Sequence, residues 1–235
     1  MFSEPLPVGA TPIDDSSGLK LPWVRTRHQL NEVEADNILK AVSAHFTKRK
    51  PPQEWFRETD LRKLHTQMFS SVWDWAGCYY KGPLRNIGIP WQQIPLQLRE
   101  LCEDVRFWLE QPCDLTFVEQ SARIHFRLAQ IHPFPNGNGR HARFTADLFL
   151  HSLHGQRPLW PEQILSSGSN LRSEYIASLK EADQGDYTKL IELTQRYGAR
   201  NPSEEVVLGE PFFKKAFSAA KRDGIALNLR RFCKA

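Results

Sequence analysis

Residues 131–143 read Ile131-His132-Pro133-Phe134-Pro135-Asn136-Gly137-Asn138-Gly139-Arg140-His141-Ala142-Arg143, and this stretch decides the fold. Upstream, Thr116 to Ile131 keeps a helical period: Val118, Ala122, His125, Ala129 and His132 share one face, with Phe117, Ile124, Leu128 and Ile131 beside it. Downstream, Ala142, Phe144, Ala146, Leu148 and Leu150 carry a second helix from Arg140 to Leu153, ended by Gly155 and Pro158. Two apolar helices joined by a short Pro, Asn and Gly turn predict a helical hairpin. Gly137 and Gly139 let the backbone turn its N–H groups inward where the second helix presents its positive end, a natural seat for anions. A plain helix-to-helix turn explains the glycines alone, but not Arg140 and Arg143 following on one face. Two guanidinium forks there fit more than one phosphate. His132 titrates near neutrality and suits a general base at the mouth of the turn, while the Asn138 amide can brace it.

Outward from this hairpin the pattern stays helical. Thr26 with Gln29 makes a capping box before a helix carrying Leu30, Val33, Ile38, Ala41 and Val42 to about Phe46, closed by Pro51 and Pro52. A second starts near Thr59 or Asp60 and runs through Leu61, Leu64, Met68, Phe69 and Val72 into WDWAG, where Gly77 is expected to end it. Between Cys78 and Pro95 glycine, proline and asparagine interrupt any helix, and Ile87 alternates with Ile89, so a β-hairpin flap is expected. Pro95 opens a helix with Leu98, Leu101, Cys102, Val105 and Leu109 as far as Glu110. Ser169 to Ala182 gives another, through Tyr175, Ile176 and Leu179, and Asp186 is placed to cap one with Leu190, Ile191 and Leu193. The expected fold is all-α with one short flap. Residues 1–22 read as an extended arm, 23–200 as the helical domain, and 201–235 as an appendage whose Phe212, Phe213, Phe217 and Ala220 suit an amphipathic helix.

Composition excludes several classes. Forty per cent hydrophobic residues, with seven Trp and fourteen Phe among 235, are enough to bury a core. Apolar runs fall short of the roughly 20 residues that span a bilayer, and the first residues lack an export signal, so no membrane role is expected. Cys78, Cys102, Cys113 and Cys233 form neither a zinc pattern nor a disulfide framework, which fits a reducing cytoplasm. A net charge of +4 and the basic end with Arg230, Arg231 and Lys234 read as solvated surface, and direct nucleic-acid binding is not expected. Trp73, Trp75 and Trp91 are assigned to the core, His125 to a hydrogen-bonded core position and His141 to solvent.

The string HPFPNGNGRHAR resembles the signature of the Fic (Fido) family, His-x-Phe-x-Asp/Glu-Gly-Asn-Gly-Arg-x-x-Arg, at every fixed position but one. The likeness runs from about Thr26 to Tyr197 through WAG, NIG and YIASLKEADQGD. With MFSSVWDWAG and NIGIPWQQIP it looks most like the subgroup called mobile mystery protein B. The resemblance implies the Fic helical bundle and transfer of a nucleotide monophosphate, usually AMP from ATP, to a hydroxyl of a target protein. His132 would be the base, Phe134 the anchor of the loop, and Gly137, Asn138 and Gly139 the cradle for the phosphates; Arg140 and Arg143 would hold the outer ones. Flap residues Arg85, Asn86, Ile87, Gly88 and Ile89 would hold the target segment as an added strand, and Tyr175 would neighbour the base.

Asn136 stands where the family has an acid that ligates Mg²⁺, so metal binding is expected to weaken. That departure leaves three outcomes open: retained transfer, transfer of another phosphate-containing group, or a nucleotide-binding regulator without turnover. The Doc branch, which transfers a γ-phosphate, resembles a loop with lysine at the second glycine, which this chain lacks. The self-inhibitory motif ending in Glu-Gly or Glu-Asn is absent from the sequence. An inhibitory partner of toxin–antitoxin type, a small helix-turn-helix protein, is what the subgroup resemblance implies.

Overall fold

The computed structural model describes residues 18–84, 87–154, 160 and 170–198. Helix α1 (Arg27–His45) begins where the capping box places it: the Thr26 side chain accepts from Gln29 N, and the Gln29 side chain accepts from Thr26 N. Its buried stripe of Leu30, Glu34, Asn37 and Ala41 repeats at helical spacing and faces α3 (Glu58–Phe69). A four-residue helix, α2 (Pro52–Trp55), lies between them and was not expected. Pro52 opens that helix rather than closing α1, because a first-turn proline lacks only an N–H that the helix leaves unpaired. Nor do Thr59 and Asp60 cap α3. Both sit inside its first turn, and Arg57 precedes it without a side-chain cap.

α3 also stops eight residues before Gly77. Past Phe69 the N-terminal segment takes up part of the backbone pairing: Lys20 N donates to Val72 O at 2.9 Å and Asp74 N to Gly18 O at 3.0 Å, while Trp73 N still bonds Phe69 O. Trp73 therefore sinks completely into a core with Leu30, Ala41, Leu64, Met68 and Phe69, and Trp75 stacks on it at 4.8 Å. Trp91, expected in the core, is 39% exposed, since it begins a single turn ahead of α4 (Ile94–Glu110).

α5 (Phe117–Ile131) carries its own capping box, Thr116 with Glu119, and pairs with α6 (Asn138–His154) as the tightest helix contact among the described residues. Small side chains make that approach possible: Ser121, Ala122, Ala142 and Ala146 are buried, and Ser121 Oγ donates to Ala146 O at 3.1 Å. Leu98, Leu101, Val105, Ile124, Leu128, Ile131 and Phe149 close the core around this hairpin. Each contributes about 2 kcal/mol by leaving water. On the far side, α7 (Asn170–Asp183) and α8 (Thr188–Leu193) cover α5 through Ala122, Phe126, Ala182 and Leu190. Asp186 Oδ1 accepts from the N–H of Thr188, the first residue of α8, but the cap position is Tyr187, so Asp186 stands one residue ahead of the place expected of it.

The expected β-hairpin is not formed among the described residues of the flap, 78–84 and 87–90, and Arg85 and Asn86 lie outside them. Pro83 and Pro90 bring no N–H and Gly88 takes φ +111, so Ile87 and Ile89 have no ladder to join. The appendage 201–235 also lies outside the described residues.

Candidate active site

The turn between α5 and α6 is built around two side chains facing inward. Phe134 is fully buried and stacks on the His65 ring at 3.8 Å. Asn138, also buried, accepts from Phe134 N at 2.9 Å through Oδ1 and donates to Phe134 O at 2.8 Å through Nδ2. One amide thus satisfies both backbone groups of Phe134, a bracing role available because asparagine carries a donor and an acceptor on one plane. It also moves the start of α6 two residues ahead of Arg140, so that Asn138 and Gly139 belong to its first turn. The first amides of a helix have no partner within it.

His132 is the cap of α5 and takes φ +53, the only described non-glycine residue with positive φ. That left-handed residue leaves the α5 face on which the periodicity put it and redirects the chain into the turn. Nδ1 lies 3.2 Å from Ala129 O. A carbonyl can only accept, so Nδ1 carries the hydrogen and the basic lone pair sits on Nε2. Gly88 of the flap approaches so closely that a Cβ there would stand 3.0 Å from His132 Cβ. Tyr80 N donates to Pro133 O at 2.8 Å. Flap and turn are therefore joined next to the imidazole, with no strand needed to bring them together.

Gly137, at φ +77, leaves no room for a side chain: its Cβ would be 2.5 Å from the Phe69 ring. Its N–H donates to Asn136 Oδ1 at 2.6 Å. The two arginines lean to different neighbours. Arg140 meets Glu34 of α1 at 2.8 Å and lies over the Phe69 ring of α3. Arg143, buried, lies over Tyr175 of α7, whose hydroxyl is 2.9 Å from His125 Nε2. Tyr175 is thus a neighbour of His125 and Arg143. Burial, and then the charge of Arg143, pulls the His125 pKa down to about 3, which keeps that ring neutral.

Three residues here escape sequence reading. Glu34 is 3% exposed and takes two bonds, from Trp73 Nε1 at 2.7 Å and from Arg140. Its signal was its place in the Leu30, Asn37, Ala41 stripe, where a solvated glutamate does not belong. His65 of α3 bonds the Asn136 carbonyl at 3.0 Å. Arg172 has its pKa lowered by burial and next by Arg143, so α7 brings a third guanidinium near the second. His141 is fully buried, contrary to expectation, and its Nε2 meets Leu61 O at 2.9 Å. Burial holds its pKa at about 4.

The residues present do not fit a protein-held Mg²⁺. Asn136 Oδ1 is already taken by Gly137 N–H, and it is neutral. Among the described residues no three acids, histidines or cysteines gather as a metal cage. A hard cation wants oxygen ligands with charge, and this turn offers none from a carboxylate. Elsewhere, a groove of about 650 Å³ lined by Trp108, Leu115, Phe117 and Leu153 holds none of these residues.

Residues 55–150, which contain the whole turn and both helices around it except the end of α6, match the family described as Fic/DOC. These residues are a Fic domain. An alignment of 207 positions covering 86% of the chain is 33% identical to the protein adenylyltransferase fic-1 of Caenorhabditis elegans. A stretch of 129 residues, 54% of the chain, is 30% identical to the protein adenylyltransferase Fic of Drosophila grimshawi. The chain spans 37% of the first relative and 25% of the second. Among solved structures, C. elegans Fic-1 (residues 134–508) superposes with a TM-score of 0.57 at 22% identity, covering 88% of this chain and 56% of that one. BepC of Bartonella tribocorum, solved with bound AMPPNP, gives 0.56 at 19% identity, covering 82% and 94%. At such identities the likeness is one of fold, and the all-α Fic bundle is the fold of the described residues.

Proposed function

We propose that the Fic domain transfers AMP from ATP to a hydroxyl side chain of a target protein, with His132 as general base. The observation that carries this reading is the junction at the turn. The Asn138 side chain braces Phe134 at the turn, Arg140 follows in the first turn of α6, and Gly88 of the flap packs on His132 at the end of α5. The choice of adenylate rests on the activity for which the C. elegans relative is named. The target hydroxyl attacks the α-phosphorus and gives its proton to His132 Nε2 as the new O–P bond forms. The bond from the α-phosphorus to the bridging oxygen breaks, and pyrophosphate leaves. Loop amides at Asn138 and Gly139 and the two arginines hold the charge that develops on the leaving group, and the Gly137 N–H joins them when it exchanges Asn136 Oδ1 for a phosphate oxygen. Flap residues 85–89 would seat the target segment through main-chain bonds. Mg²⁺ enters only as the ion that the nucleotide's phosphates carry, and Asn136 adds at most a neutral oxygen.

Transfer is read with ATP labelled at the α or the γ position, in wild type and His132→Ala. Label from the α position on protein, falling about a hundredfold or more in the variant, is expected for loss of a general base. Label arriving from the γ position would mean phosphoryl transfer instead. Because Asn136 breaks the signature, a second reading is a nucleotide-binding regulator; no protein labelling by wild type or by Asn136→Asp supports it. Two further proposals are a cytoplasmic setting, from the cysteine usage, and an inhibitory helix-turn-helix partner, from the resemblance to mobile mystery protein B. Copurification of a small basic protein whose removal raises labelling is the expected result.

A further inference from the structure

A histidine outside the signature controls which way one peptide of the turn faces. His65 lies on α3 and is fully buried between Phe134, Phe69 and His141. Its two ring nitrogens have different partners. Gly77 N–H donates to Nδ1 at 3.0 Å, which fixes the lone pair there. Nε2 must then carry the hydrogen, and it donates to the Asn136 carbonyl at 3.0 Å. One neutral imidazole therefore ties the turn at the base of the flap to the turn that faces the proposed nucleotide.

The Asn136 carbonyl belongs to the peptide that joins Asn136 to Gly137. A trans peptide is planar, and its C=O and N–H point in opposite directions. With the oxygen held in the core by His65, the Gly137 N–H is aimed the other way, onto the Asn136 side chain. A glycine follows this peptide, and glycine tolerates either sign of φ, so no side-chain clash resists rotation of the plane. Rotation by half a turn would bring a carbonyl oxygen to the side where phosphates sit, replacing a donor with a repelling dipole.

We propose that His65 is a positioning residue: by its Nε2–H it locks the Asn136–Gly137 peptide with the carbonyl in the core, and by Nδ1 it holds Gly77, so that phosphate cradle and flap base share one strut. This rests on the nucleotide reading above. The strut acts through backbone groups, and His65 itself touches no substrate.

Two isosteric substitutions separate its halves. Gln places an amide N–H near Nε2, and Asn places an amide oxygen near Nδ1; both lose the ring. With the full chain, AMPPNP affinity is measured by calorimetry, Gly77 amide exchange by NMR, and Tm by melting. His65→Gln should bind AMPPNP within about threefold of wild type while Gly77 exchanges about tenfold faster. His65→Asn should keep Gly77 protected and lose about tenfold in affinity, at a Tm similar to that of His65→Gln. Should His65→Asn bind as tightly as wild type, or both variants weaken equally in step with Tm, the strut is wrong. If wild type itself shows no binding heat with AMPPNP, the nucleotide reading falls and takes the strut with it, an outcome distinct from a wild type that binds and an Asn variant that binds equally.

Discussion

Two glycines in the turn do different jobs, and that difference is open to measurement. Gly137 is required by its own backbone, with φ +77 and the Phe69 ring 2.5 Å from where a Cβ would go. Gly137→Ala should cost on the order of 1–3 kcal/mol in urea unfolding, the usual penalty for a strained position with a clash added. A Cβ on Gly139 would meet only Arg143 Nη1 at 3.7 Å, ordinary contact. Gly139→Ala should therefore unfold within about 0.5 kcal/mol of wild type, or later, since alanine is the better helix former. AMPPNP affinity should nonetheless fall, because a methyl group stands beside the amides. A Gly139→Ala chain that binds AMPPNP as wild type does would leave this glycine with no part in the cradle. At Asn136 the expectation runs the other way. Asn136→Asp restores a charge at the oxygen nearest Gly137 N–H, and labelling should become more responsive to Mg²⁺, read as the metal concentration for half-maximal transfer.

At the scale of elements, α1 reaches the turn through one carboxylate. Glu34 is buried and accepts from Trp73 Nε1 and Arg140, so removing it strands a buried indole N–H and alters the setting of a guanidinium. Glu34→Ala should cost about 3 kcal/mol in unfolding free energy, and Glu34→Gln less, because the amide oxygen still accepts. Equal losses in the two would mean that packing alone matters there. Helix boundaries that depend on neighbours in sequence were legible: Thr26 with Gln29 forms the bonds its spacing implies, and Pro95 lies in the first turn of α4. What depends on partners far along the chain was not. Residues 70–74 continue the apolar period of α3, yet pair with 18–20, and no local pattern records that competition. The flap failed for a related reason. Ile87 and Ile89 alternate like strand residues, but alternation shows two faces and says nothing about whether a second strand is available to pair.

For the molecule as a whole, the same limit hid two histidines of three. The 131–143 stretch announced its own chemistry because its residue types are rare in that order, whereas His65 and His141 look like ordinary polar positions on helices until the bundle closes over them; His125, on the apolar face of α5, was legible as a hydrogen-bonded core residue. Closed, His65, His125 and His141 each bond through Nε2, to Asn136 O, Tyr175 Oη and Leu61 O, and each has a pKa held below 6.5, first of all by burial. In the unfolded chain all three return to about 6.5. Below that pH the unfolded state binds more protons than the folded one, so stability is complete above about pH 6.5 and is lost as pH falls toward the folded values, about 4 for His141 and about 3 for His125. Asp104, whose carboxyl burial raises, pulls the opposite way, but only within the carboxylate range. From pH 7 to 5.5 the three histidines together should remove about 4 kcal/mol, or roughly 10 °C of Tm. Melting curves across that interval check the sum, and His125→Gln, which leaves nothing to protonate at that site, should flatten the slope by about a third. A Tm that does not move between pH 7 and 5.5 would mean that these rings meet solvent in the folded state, and a His65 that opens to water could not hold the Asn136 carbonyl in the core.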